Sequence, residues 1–136
     1  MTAEAMLDEL GTRYFRKSTQ FQVLSRGRCV ARMILSPQPG LVDLELIWVA
    51  PGARGRGIGG RLLHDVVESA DRHQVAVSLA LVESPFTEPM ERLEAWYGRA
   101  GFRVSPQHCT GDDIVLCRPP ALPAPAMLDT DELSFA

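Results

Sequence analysis

Residues 54–60, Arg-Gly-Arg-Gly-Ile-Gly-Gly, stand between an apolar run at 44–49 and a helical pattern that opens at Arg61-Leu62-Leu63. Without a Cβ, glycine lets successive backbone N–H groups turn toward one point, and the following helix adds unsatisfied donors and the positive end of its dipole. A strand, tight loop and helix of this kind form an anion site suited to a pyrophosphate. A nucleoside-triphosphate loop needs Lys after its last glycine, and none follows here. Gly55, Gly57 and Gly60 do satisfy Gly-x-Gly-x-x-Gly, and Glu83 lies at about the distance of a ribose-binding acid. Spacing alone therefore leaves a dinucleotide fingerprint open.

A second set of polar groups precedes the loop. Strand side chains alternate, which assigns Asp43, Glu45, Ile47 and Val49 to one face and Leu44, Leu46 and Trp48 to the other. Two acids on one face of an otherwise apolar strand are unusual. Either they work on a substrate or they face solvent, as many strand carboxylates do.

Read as Arg-x-x-Gly-x-Gly after Val49-Ala50-Pro51, Arg54 to Gly59 resembles the acetyl-coenzyme A loop of the GCN5-related N-acetyltransferase (GNAT) family. Residues 93–102, Leu-Glu-Ala-Trp-Tyr-Gly-Arg-Ala-Gly-Phe, are similar to that family's Leu/Ala-x-x-x-Tyr-x-x-x-Gly-Phe segment. The two motifs fall in the family's order, and the resemblance covers about residues 21–118.

The resemblance implies direct transfer of an acetyl group from acetyl-CoA to a primary amine of a small molecule or peptide, with no metal. It assigns the pyrophosphate to the amides of Arg56, Gly57, Ile58, Gly59 and Gly60, with Gly55 in the turn and Arg54 adding charge. Backbone groups at Trp48 and Val49 would meet the acetyl carbonyl and pantetheine. Glu45 is the candidate base, with Asp43 as its substitute, and Tyr97 the proton donor to the leaving sulfur. Two departures are visible: Met90 stands where the family commonly has Asn, and the chain has no room for the family's opening strand and further helix. These modestly favour the alternative of a non-catalytic acyl-CoA-binding or interaction module, against which an intact Tyr97 and Glu45 argue.

Composition bounds the same reading. At 136 residues the chain fits one domain, and 46% hydrophobic content can fill one core. A net charge of −3 without a basic stripe argues against general nucleic-acid binding. No run reaches the roughly 18 apolar residues of a membrane helix, and residues 1–10 carry acids where a signal peptide would be basic. A cytoplasmic protein is expected. Cys29, Cys109 and Cys117 are odd in number and lack Cys-x-x-Cys spacing, so neither a disulfide framework nor a zinc site is expected. Lys17 is the only lysine, which leaves almost no internal lysine to acylate.

The elements that must position these groups follow from periodicity. The pattern predicts a helix over 3–15, a hairpin of 21–25 and 29–35 about Arg26-Gly27-Arg28, and a break at 36–40 where two prolines occur. A strand over 43–49 follows, then a helix over 58–73 whose stripe leaves His64 and Asp65 exposed. Residues 75–82 read as a parallel strand buried on both faces. A helix over 91–98 precedes an antiparallel pair at 102–105 and 114–117. The expected fold is α/β, a mixed twisted sheet of about six strands flanked by helices, over residues 1–118. Residues 119–136 form a proline-rich acidic tail, whose Leu133 and Phe135 could dock on a second copy in a homodimer.

Overall fold

The N-terminal helical pattern is cut short by tertiary pairing. The Thr2 hydroxyl caps α1 (Ala3–Leu10) by accepting the Ala5 N–H at 3.0 Å, and the helix ends at Gly11. Its expected continuation to residue 15 does not form. Gly11 weakens the helix there, and Phe15–Lys17 instead becomes an edge strand, β1, paired with the next strand through Phe15↔Gln22 and Lys17↔Gln20. The computed structural model describes residues 2–81, 90–105 and 114–121. Over these residues the remaining elements are β2 (Gln20–Ser25), β3 (Arg28–Gln38), β4 (Leu41–Val49), α2 (Ile58–His73), β5 (Ala76–Leu81), α3 (Met90–Gly98), β6 (Arg103–Val104) and β7 (Ile114–Arg118).

The sheet has seven strands rather than six, in the order β1-β2-β3-β4-β5-β7-β6, with β1 as the added one. All neighbours are antiparallel except β4 and β5. That single parallel pair is connected through α2, the crossover such a pair requires. The β2–β3 hairpin turns on Arg26 and Gly27, both with positive φ, as a two-residue turn demands. Strand β3 does not break at residue 36 but runs on to Gln38 through Pro37, which pairs with Val42. Pairing with β2 stops at Gln20↔Ile34, so Pro37 lies where the other edge of β3 has no ladder to lose.

One bulge rearranges the predicted faces. Ile34 pairs with Leu46 and Leu35 with Leu44, which leaves Glu45 as an extra residue on β4. The alternation inverts there. Val42 and Leu44 enter the core before the bulge, and Ile47 and Val49 pack against it afterwards, so Asp43 does not share a face with Ile47 and Val49. The core face is completed by Phe21, Ala31, Met33, Leu35, Val77, Leu79 and Leu116. Helix α1 packs on α2 and β3, α2 on β3 to β5, and α3 on β5. Strand β5 is not buried on both faces: Ala80 is exposed.

The expected features at Glu83 and the 83–89 loop, the Met90 side chain, His108, Cys109 and Gly111, and the tail beyond residue 121 lie outside the described residues. Cys29 and Cys117 are free thiols. No helix among the described residues is long and apolar enough to cross a membrane.

Candidate active site

The parallel pairing of β4 with β5 covers Leu41↔Ala76, Val42↔Val77 and Asp43↔Ser78 and goes no further. Beyond that point β5 stays paired with β7 through Leu81, while β4 continues to Val49 beside β3. The two central strands therefore fork. On the fork side, the later backbone groups of β4 have no strand partner among the described residues, and backbone groups without partners seek a ligand or water. At the apex the Ser78 hydroxyl donates to the Asp43 carboxylate. The bulge at Glu45 falls two residues further along, inside the opening, and its carboxylate is exposed.

The glycine loop stands at the far end of the β4 arm. After Val49 a single 3-10 turn, Pro51–Ala53, bends the chain, and Arg54 Nε donates back to the Val49 carbonyl at 3.0 Å. This bond fixes the loop to the strand end. Gly55 and Gly57 then take φ of +80° and +77°, conformations open to glycine without strain. Gly57 is the N-cap of α2 and brings no side chain to it, and the first turn carries no acid. The first intrahelical bond is made by Arg61 N–H to the Gly57 carbonyl, so the amides of Ile58, Gly59 and Gly60 have no acceptor within the helix. A Cβ on Gly59 would meet Val49 Cγ2 at 3.6 Å and Trp96 Cζ2 at 4.0 Å, so loop, strand end and α3 converge at this residue.

Tyr97 is buried, in edge contact with Trp96 (4.9 Å between ring centroids) and with Phe102 (5.6 Å). It belongs to the packed cluster that holds Leu79 and Leu81 of β5, with Ile47 and Val49 of β4 against it. Helix α3 packs on β5, and its Trp96 lies beside Gly59 of the loop. Burial alone pushes its pKa up to about 12, because the desolvated phenolate is disfavoured. The hydroxyl keeps its proton at neutral pH.

Among the residues picked out by sequence, the structure gathers Val49, Arg54 and the glycines at one end of the fork, with Tyr97 packed beside it and Glu45 within it. Trp48 is set apart. It points to the other face, where the Arg32 guanidinium covers its ring at 5.2 Å. Asp65, expected to be exposed, is half-buried because Tyr14 and Arg13 bind its two oxygens, Arg13 at 3.2 Å. His64 is exposed and pairs with Glu68 at 3.5 Å. His64, Asp65 and Glu68 could converge on a cation, but Glu68 also holds Arg72 at 3.1 Å and Asp65 has the partners just named. Sequence reasoning passed over Ser78 and Trp96. Ser78 had left a signal as the sole polar residue in the apolar run 75–82.

A fork between parallel strands, closed at one arm by a phosphate-type loop, has the architecture of a coenzyme A-dependent acyltransferase. Residues 17–104, more than half of the chain, match the acetyltransferase (GNAT) domain. The protein belongs to the GNAT family.

No curated protein sequence matches significantly. Among solved structures, the ribosomal-protein-S18-alanine N-acetyltransferase of Escherichia coli superposes with a TM-score of 0.61 at 18% identity, covering 93% of this chain and 82% of that one. A GNAT family acetyltransferase from Elizabethkingia anophelis, solved with acetyl-CoA bound, gives 0.57 at 19% identity over 82% of each chain. The PaiA N-acetyltransferase of Thermoplasma acidophilum, in complex with coenzyme A, gives 0.58 at 14% identity, covering 74% of this chain. The present chain spans 59% of that protein's length. At these identities the likeness is one of fold.

Proposed function

We propose that the protein transfers an acetyl group from acetyl-CoA to the primary amine of a small molecule or peptide, by direct attack within the fork. The observation that carries this reading is the early end of β4–β5 pairing at Asp43↔Ser78, with the glycine loop at the mouth of the opening it leaves. The coenzyme-bound relatives of the same fold support acetyl-CoA as the cosubstrate. The loop amides of residues 56–60 would hold the pyrophosphate and the unpartnered backbone of β4 would align the pantetheine and thioester.

In the reaction an amine lone pair attacks the thioester carbonyl, forming the C–N bond. The amine must be neutral when it attacks, and Glu45 at the bulge is the group assigned to take its proton, directly or through water. The C–S bond then breaks and the thiolate takes a proton from Tyr97. A phenol held near 12 remains protonated until the departing sulfur needs the proton, so it is suited to act as an acid and not as a base. Placing the two reactants in contact can supply roughly 7–11 kcal/mol, with acid and base assistance adding about 10²–10⁴-fold.

The test is thiol release from acetyl-CoA with a panel of amines, for wild type and Tyr97→Phe. Losing only a hydroxyl keeps the ring packed between Trp96 and Phe102. We expect turnover to fall about a hundredfold or more while the Kd for CoA stays within twofold. Equal turnover in the two proteins returns Tyr97 to a packing role. CoA binding with no amine-dependent release from wild type favours the non-catalytic acyl-CoA-binding module.

A further inference from the structure

One face of the sheet is not used by the core. Buried residues of all three helices, among them Met6, Leu62 and Tyr97, join a single cluster with the core face of the strands. On the reverse face, paired residues form a row across three strands: Gln22 of β2, Arg32 of β3 and Trp48 of β4. Ile34 and Leu46 make the next row, and neither they nor Trp48 belong to the core cluster. Across the fork, Ala80 lies between the core residues Leu79 and Leu81 of β5, so it turns to the same reverse face, where it is exposed.

Arg32 is left without a counter-charge in this row. Its guanidinium covers the Trp48 ring at 5.2 Å, and its Nε is buried with no hydrogen-bond partner, the one such side-chain atom among the described residues. A buried donor on a charged group is costly to leave unmet, and stacking on an indole holds the plane of the guanidinium in place. A guanidinium fixed in this way presents a fork that fits the two oxygens of a carboxylate.

We infer that Arg32 receives a carboxylate of the acetyl acceptor, so that the substrate is an amine with a free carboxylate some way from its nitrogen, as in a short peptide. The inference rests on the proposal of acetyl transfer within the fork. Loop, strand end and α3 converge at Gly59, with Val49 and Trp96 packed against the core, and this is the side given to the donor. The acceptor then has the reverse face for its approach, with Glu45 and Ala80 exposed on the two arms. Glu45 and Trp48 are three residues apart, about 10 Å along an extended strand. An α-amino acid is too short to place its amine at one and its carboxylate at the other, whereas a peptide of two or three residues spans about 7–10 Å. The charges run in the matching order. Glu45 and Asp43 attract the ammonium end before it gives up its proton, and Arg32 takes the anionic end.

Thiol release from acetyl-CoA by the full chain tests this with matched acceptors: di- and tripeptides and ω-amino acids against their carboxamides. Each pair differs only in the carboxylate. Wild type should use the acids with kcat/KM at least tenfold above the amides. Arg32→Gln should raise KM for the acids about tenfold and bring the preference for acid over amide to within twofold, and Arg32→Lys, which keeps the charge, should recover part of the loss. Acids and amides used alike by wild type, or an Arg32→Gln effect of the same size on both, overturns the inference while leaving acetyl transfer in place. Acetylation confined to amines that lack a carboxylate overturns it too. Binding of CoA with no thiol release for any amine removes the acetyl-transfer reading itself, and this inference with it.

Discussion

At its C-terminal end α2 is tied down by side chains from two other elements, whereas at its N-terminal end no side chain among the described residues caps it. Glu9 of α1 accepts from Ser69, Arg72 and His73, and Arg118 of β7 donates twice to Asp71, at 2.7 and 2.9 Å. Gln74 closes the helix in a left-handed conformation, its N–H reaching the Ala70 and Asp71 carbonyls. The Ala121 N–H also ends on Asp71, so the chain leaves the described fold at this far end, away from the loop. Among the described residues nothing comparable occurs at Gly57, where no side chain caps the helix and no acid lies in the first turn. One helix thus has a saturated end that joins α1, α2 and β7, and an end whose first amides have no acceptor within the helix, where the proposal puts the pyrophosphate. Satisfied polar groups hold the fold together, and unsatisfied ones are what a ligand can use.

The largest effect expected from this contrast comes from filling the unsaturated end. A Cβ at residue 59 has room, since its nearest contacts are ordinary van der Waals distances. Gly59→Asp should therefore fold and yet place a negative charge where the proposal puts the pyrophosphate. At about 4 Å that repulsion is near 4 kcal/mol for an effective dielectric of about 20, on the order of a thousandfold in Kd. Unchanged CoA affinity by calorimetry would remove the loop from the site.

The saturated end should respond in the opposite way. Arg118→Met keeps much of the volume but leaves Asp71 without its paired donors, which should cost about 1.5–3 kcal/mol in urea denaturation. The folded variant should bind CoA as wild type does. A loss of affinity without a loss of stability would mean that the two ends are not separate in role.

The smallest effect is a pH dependence. Hydrogen bonds from Ser69 and then Arg72 outweigh burial and hold the Glu9 carboxyl at about 2, against an ordinary 4.5. The folded state therefore gains from this group above pH 4.5, and the gain disappears as pH falls toward 2. Arg118 likewise lowers the pKa of Asp71. Glu9→Gln should flatten the acid limb of the stability profile between those pH values, as read by thermal melts. An unchanged limb would show that Glu9 does not link α1 to α2 energetically.

Local chemistry was legible in the sequence alone: the glycine loop, the bounds of α2 from Ile58 to His73, and the existence of a glycine turn between β2 and β3, although Arg28, expected in that turn, pairs with Ser25 at the start of β3. Each is governed by residues near one another in the chain, through glycine's access to positive φ or through helical periodicity. Tertiary pairing decided the rest. Alternation is a local rule, and it assigned Asp43, Glu45, Ile47 and Val49 to one face until the register against β3 inserted Glu45 as a bulge and inverted the later half of the strand. Gly11 and Tyr14 fit a weak helix equally well, and only the ladder to β2 drew Phe15–Lys17 into the sheet. The fork exists because β5 keeps company with β7 while β4 follows β3. Asp65 of α2 binds Arg13 and Tyr14, the latter from 51 residues away. Such neighbours are fixed by packing across the sheet and helices, where sequence separation carries no information about distance.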